Sequence, residues 1–249
     1  MAVGNDAEIY PNSPLVDVIC EVKFPGEMQV ECDRHTFWNQ IRDTYPTILV
    51  PKVTNGQAIA LQHYRLRSAD KKRTVSIALN SLAFSETPPY SGHTSFLEEF
   101  VRLAKIFQDC YPGLNKVNRI GWRYINVIPF SKGAGPVPVS DFLKVSVALP
   151  TNLFESAQTF DARFESKTDE GTVITRLAII GKNVSQTDDD IRPAGDLAIL
   201  LDIDYVIEKE DLKFRHLESH LQRARKNGRE IFEELITDNY RKYLRGDTL

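Results

Sequence analysis

The chain has 249 residues, of which 42% are hydrophobic and 26% charged, with a formal net charge of −3 and a pI near 6.0. That size supports one large domain or two smaller ones sharing a core, and the mild acidity weighs against a protein whose main task is gripping a phosphate backbone. Cys20, Cys32 and Cys110 are odd in number and lack C-x-x-C spacing, which reads as reduced thiols in a cytoplasmic protein. The N-terminus has no signal-peptide pattern and no run of about 18 apolar residues occurs, so no membrane contact is expected.

After a polar lead-in ending at Pro14, "LVDVICEVKF" alternates: Val16, Val18, Cys20, Val22 and Phe24 face one way, Asp17, Ile19, Glu21 and Lys23 the other. Asp33 is placed to cap a short helix, "RHTFWNQIRDTY", that Pro46 stops. Three strands are predicted next, "AIALQHYRLR", "RTVSIALN" and "SLAFSE", the first two joined by the charged turn "SADKK". A Pro/Gly loop leads to Ser95 and Glu98, a capping box opening "FLEEFVRLAKIFQDCY", whose Phe96, Phe100, Leu103 and Phe107 share one helical face.

The second half repeats this order. A strand at 118–129 precedes a Gly/Pro-rich loop and a short element at "VSDFLKV". The strands "AQTFDARFES", "TVITRLAIIG" and "DLAILLDIDYVIE" follow, with an acidic loop before the last, and a long helix runs from about Asp211. The expectation is an α+β fold of two pseudo-repeated halves, 1–113 and 114–249, in one compact unit. Each half reads strand, short helix, three strands, long helix, and the strands join in one curved antiparallel sheet covered by helices on one face. The layout resembles that of the TATA-binding protein, which licenses no functional transfer.

The uncovered face would carry Arg119 and Arg123 of "NRIGWRYINVIPF", Asp202 and Asp204 of "LLDIDYVIE", Asp161, Arg163 and Glu165, and Asp17, Glu21 and Lys23. Cross-strand ion pairs on a solvated sheet account for such a mixture. The alternative is a recognition surface whose arginines grip carboxylate or phosphate. Its expected binding residues are Arg119, Arg123, Tyr124 and Asn126, with Asp202 and Asp204 alongside.

Catalytic and metal motifs are weak. His216 and His220 stand one helical turn apart around Glu218, but the pattern is not H-E-x-x-H. Asp202 and Asp204, with Asp161 or Glu165, are the residues for a divalent ion if the strands align them, as a metal-dependent hydrolase or nuclease would need. Asp188, Asp189 and Asp190 lack calcium-loop spacing, and "KGAGPVP" lacks the phosphate-loop pattern. No resident metal, cofactor or catalytic set is assigned.

In the C-terminal helix Phe214, Leu217, Leu221, Ala224, Gly228, Ile231 and Leu235 form one seam, with Arg223, Arg225, Lys226 and Arg229 clustered mid-helix. Unbroken to Leu244 it would span roughly 50 Å, enough to overhang the domain. Asn227–Gly228 is the expected bend. Packing on the protein's own sheet competes with an overhang in which Arg223, Arg225 and Arg229 meet a protein partner or a second copy. A protein–nucleic-acid complex also fits such a surface.

"PLVDVICEVKF", "RYINVIPF", "LLDIDYVIE" and "IFEELITDNYRKYL", in this order, resemble the TIGR04255 family of sporadically distributed bacterial proteins. That family often has a histidine seven residues before the phenylalanine of the last segment; here the position is Arg225. The resemblance implies a standalone cytoplasmic protein with no established activity. Its patchy distribution resembles that of accessory components of bacterial defence or toxin–antitoxin systems. The expectation is therefore a non-enzymatic binding protein, with a metal-dependent hydrolase and a small-molecule sensor as alternatives.

Overall fold

The computed structural model describes residues 10–49, 63–130, 139–145, 160–181, 197–210 and 212–247. Nine antiparallel strands form one sheet: β1 (Leu15–Lys23), β2 (Thr47–Leu49), β3 (Tyr64–Arg67), β4 (Arg73–Ala78), β5 (Ser81–Glu86), β6 (Arg119–Phe130), β7 (Asp161–Lys167), β8 (Thr172–Gly181) and β9 (Leu197–Ile207). Their order across the sheet is β2-β3-β4-β5-β1-β6-β9-β8-β7. The fold is α+β, with six α-helices among the described residues: α1 (Met28–Cys32), α2 (Arg34–Ile41), α3 (His93–Cys110), α4 (Val139–Phe142), α5 (Leu217–Leu235) and α6 (Asp238–Leu244). None of them is long and apolar enough to cross a membrane.

Alternation sets the core. Val18, Cys20 and Val22 of β1 lie beside Ile120 and Trp122 of β6 and Ile203, Tyr205 and Ile207 of β9, all buried on the helix side. Phe96, Phe100, Leu103 and Phe107 of α3 and Leu217, Leu221 and Ala224 of α5 close over them. Fully burying a residue of this size contributes about 1.5–3 kcal/mol, so this two-layer contact dominates stability. Ring contacts, such as Phe96 on Trp122 at 5.4 Å and Phe37 on Phe107 at 5.1 Å, fix the helices laterally.

Several local expectations change. β2 and α1 are too short to show a period. α2 stops at Ile41, and Asp33 makes no side-chain cap bond to it. α3 starts at His93 behind Gly92, whose φ of 92° no side chain need oppose, so Ser95 lies inside the first turn. The strand predicted at "AIALQHYRLR" is described only from residue 63 and forms β3 at Tyr64–Arg67. The loops at Asp188–Asp190 and "KGAGPVP" lie outside the described residues.

The C-terminal helix is interrupted, though not at Gly228, through which α5 runs unbroken. A 3-10 turn at Phe214–His216 precedes it, and it ends where Ile236 turns extended. Thr237 then caps α6, its hydroxyl accepting from Tyr240 N at 3.1 Å. With 19 residues α5 is about 28 Å long, and it lies on β6 and β9. Of the two readings of the apolar seam, the described residues show packing on the protein's own sheet.

Candidate functional site

On the side away from α3 and α5, the arginines of β6 are matched one by one. Arg123 donates two hydrogen bonds to Asp202 Oδ1 and Oδ2, at 2.8 and 2.6 Å, reaching diagonally because its direct partner on β9 is Asp204. Arg119 lies across Gly121 to donate to Glu21 at 2.5 Å on one flank and Asp204 at 2.7 Å on the other. A Cβ at Gly121 would stand 3.2 Å from Arg119 Nη1 and 3.4 Å from Asp204 Oδ1, so the glycine is the bed on which that guanidinium rests. At the sheet edge Arg176 donates two bonds to Asp161, at 3.0 and 2.6 Å.

Electrostatics follow these contacts. The Asp202 hydrogen bonds hold the Arg123 guanidinium above its ordinary pKa, against the cost of burial. Burial lifts the Asp204 carboxyl above its ordinary value although Arg119 and Arg123 pull it down. Further along, this face turns apolar: Ile125 and Val127, Ala178 and Ile180, and Ala198 and Leu200 are buried together. This face is therefore part ion ladder and part apolar, with the acids and bases that the sequence places on it gathered at one end.

Tyr124 and Asn126 do not join that surface. Alternation turns them to the helix side, where Gly228 of α5 passes close to the ring; a Cβ there would lie 3.5 Å from Tyr124 Cε2. There they line a cavity of about 600 Å³ together with Arg225 and Arg229 of α5. Its other walls are the N-terminal segment (Tyr10, Pro11, Ser13, Leu15), the loop Pro88–Gly92, the first residues of α3, and Phe232.

Each wall is held from behind. The N-terminal segment is pinned by Asn12 N donating to Leu244 O at 3.2 Å, Val127 N donating to Pro14 O at 2.8 Å, and the Tyr10 hydroxyl donating to Glu233 at 2.8 Å. The loop is pinned by Glu86, which accepts from Ser91 N and Ser91 Oγ at 3.1 and 2.9 Å. Arg229 pairs with Glu233 at 2.5 Å and stacks over Tyr10, 4.9 Å from the ring centroid. Asn126 is 3% exposed and donates through Nδ2 to Leu201 O at 3.2 Å, so its carboxamide oxygen is left for the cavity. Such fixed walls make a largely pre-formed site.

Arg225 differs from every arginine above. It is half-buried, lines the cavity, and forms no hydrogen bond or ion pair among the described residues. No acidic side chain stands among the described residues of the lining, in a chain where acids outnumber Lys and Arg by 34 to 31. Burial pushes the Tyr124 phenol up to about 12 while Arg225 and Arg229 draw it down, so it remains a donor at neutral pH. Tyr90 is raised by burial as well, and its hydroxyl is buried with no hydrogen-bond partner among the described residues. α3 enters with no side-chain cap bond, leaving its first-turn amides to add positive potential at this wall.

The remaining candidates are scattered. Arg223 pairs with Glu170 at 3.5 Å. His220 Nδ1 is buried without a partner among the described residues, and burial, then Arg223, Lys209 and His216, lower its pKa; Glu218 accepts from Gln222 at 3.2 Å. Asp202, Asp204 and Asp161 each face an arginine, so a cation there would have to displace guanidinium groups. The described residues contain no group of three or more His, Cys, Asp or Glu able to hold a metal. Cys20 is buried, which pushes its thiol well above the ordinary value.

Of the nine residues singled out in the sequence, Tyr124, Asn126, Arg225 and Arg229 meet in the cavity, while Arg119, Arg123, Asp202 and Asp204 form the ladder opposite. Arg223 belongs to neither. The sequence does not point to Tyr10, Tyr90, His93 and Phe232, because no spacing within one element relates them. Comparison of the chain with protein-family models and with curated proteins finds no match to either.

Proposed function

We propose that this chain is a non-enzymatic binding protein whose ligand is a small anion held in the cavity between α5, β6 and the start of α3. The observation that carries the reading is Arg225. Arg225 is half-buried and has no counter-ion among the described residues, a state that an anionic ligand would relieve, and it stands in a cavity of about 600 Å³ lined, among the described residues, by no acid. That volume lies in the ordinary range for small-molecule sites. The ladder on the opposite face supports a structural task for Arg119 and Arg123, since their charges are already matched.

The test is thermal melting of the full chain against a metabolite panel, with Arg225→Gln and Arg119→Gln beside it. At least one anionic compound is expected to raise Tm as its concentration passes Kd, in the native chain and Arg119→Gln but not in Arg225→Gln. A panel without a stabilising member, or equal stabilisation of Arg225→Gln, overturns the reading.

The two halves are also read as an architectural repeat. The strand order supports this: β1 and β6 pair at the centre, β5-β4-β3 runs outward on one side and β9-β8-β7 on the other, and β2 extends one edge. Of the segments that resemble the TIGR04255 family, three are β1, β6 and β9, and the fourth closes α5 and forms α6.

A further inference from the structure

Resting on the cavity reading, we infer that the ligand is a planar aromatic anion, a ring system ending in one carboxylate or phosphate, with the anionic group facing Arg225 and the ring among Tyr10, Tyr90, Tyr124 and Phe232. Charge decides the first part. Arg229 is matched by Glu233 at 2.5 Å, so Arg225 is the cavity guanidinium whose charge the described residues leave unmatched, and the uncapped first turn of α3 adds about half a charge at most. That total suits an anion of one or two units; a polyphosphate would be left undercompensated. Carboxylate and phosphate both offer the pair of oxygens that a guanidinium fork engages.

The walls decide the second part. Four aromatic rings and the prolines Pro11, Pro88 and Pro89 line the cavity, and flat apolar surfaces of this kind favour a flat partner. Polar groups beside the rings include the Tyr124 phenol, which keeps its proton at neutral pH, the Tyr90 hydroxyl, without a hydrogen-bond partner among the described residues, and Asn126, whose Nδ2 is taken by Leu201 O; the Tyr10 and Ser91 hydroxyls are taken by Glu233 and Glu86. A cation would face Arg225 with no acid among the described lining residues to offset it.

A matched naphthalene series separates these elements, read by isothermal titration of the full chain. The probes are 2-naphthoate, 2-naphthyl phosphate, neutral 2-naphthylmethanol, the 2-naphthylmethylammonium cation and, without an aromatic ring, cyclohexanecarboxylate. One of the two aromatic anions is expected to bind at least tenfold tighter than the alcohol and the cyclohexane acid, and the cation not at all. Whichever anion is tighter identifies the terminal group. Arg225→Gln should weaken that anion about ten- to a hundredfold, as expected for losing a charge-assisted hydrogen bond, and leave the alcohol unchanged. Arg225→Lys, which keeps charge but not the fork, should fall between.

Equal binding of anion and alcohol, tighter binding of the cation, or cyclohexanecarboxylate matching naphthoate overturns the inference. So does a series in which nothing binds. Tighter binding of the cation overturns the anion reading as well; the other outcomes leave that reading to the metabolite melt, which depends on no particular ring, so the two failures are told apart.

Discussion

The two sides of β6 carry the same kinds of residue to opposite ends. Arg119 and Arg123 lie on the side away from the helices, and each ends on a carboxylate of a neighbouring strand at 2.5–2.8 Å. Tyr124 and Asn126, their neighbours in sequence, face α5, where Arg225 meets no carboxylate among the described residues. A paired charge holds strands in register and gains little by meeting a ligand, because the ligand must first displace its partner. An unmatched charge in a fixed cavity has its electrostatic energy still to gain. The difference between ladder and cavity is thus one of partners among the described residues, and arginine content alone does not reveal it.

The sharpest way to break the comparison is to strip a ladder arginine of its partner. Asp202 is 7% exposed and takes both Arg123 hydrogen bonds, so Asp202→Ala leaves that guanidinium with only the longer-range charges of Asp204 and Asp17. We expect a loss of about 2 kcal/mol in denaturant unfolding, less than for a fully buried pair because Arg123 keeps some contact with water. Ligand affinity at the cavity should stay within about twofold of the native value. A stable Asp202→Ala protein that no longer binds would move the site to the ladder.

A finer cut concerns the glycine beneath Arg119. A methyl group at Gly121 would press on Arg119 Nη1 at 3.2 Å and on Asp204 Oδ1 at 3.4 Å, disturbing both ion pairs. Replacing glycine also stiffens the unfolded chain, a gain of about 0.4–1 kcal/mol. The two effects nearly cancel in Gly121→Ala, whereas in an Arg119→Ala background only the gain remains. The double-mutant cycle should return a coupling of about 1 kcal/mol. A coupling of zero would mean that Gly121 serves the backbone and not the guanidinium.

Much of this architecture is legible from period alone. The alternation in "LVDVICEVKF" and "LLDIDYVIE" predicts β1 and β9 with their inward residues, and the three-and-four spacing of Phe96, Phe100, Leu103 and Phe107 predicts the buried face of α3. The same alternation separates Tyr124 and Asn126 from Arg119 and Arg123, so grouping all four on one surface conflicts with the pleat itself. Register is another matter. That Arg123 meets Asp202 and that Arg119 spans two strands depends on an alignment of β1, β6 and β9 that nothing within one strand encodes. The cavity is less legible still, since its walls come from residues 10–15, 88–94, 124–126 and 225–232. The arginine cluster of α5 is plain in sequence, yet Arg225 reads as an outward partner contact until the helix is laid on β6.

The smallest expected effect sits at the sheet edge, where the pairing logic meets solvent. Asp161 accepts two hydrogen bonds from Arg176, which hold its carboxyl below the ordinary value. A carboxylate whose folded pKa is depressed contributes stability that is complete above its unfolded pKa and fades as pH falls through the folded one. With its side chain 51% exposed, the contribution should be only about 0.5 kcal/mol. Denaturant unfolding of Asp161→Asn beside the native chain should therefore show that deficit at pH 7, a shrinking one as acid carries Asp161 through its depressed pKa, and none below it. Added salt should erase most of it at pH 7. A deficit that persists in acid would mean that the Asp161–Arg176 contact works through shape and hydrogen bonding, and the ladder would then owe less to charge than its arginines suggest.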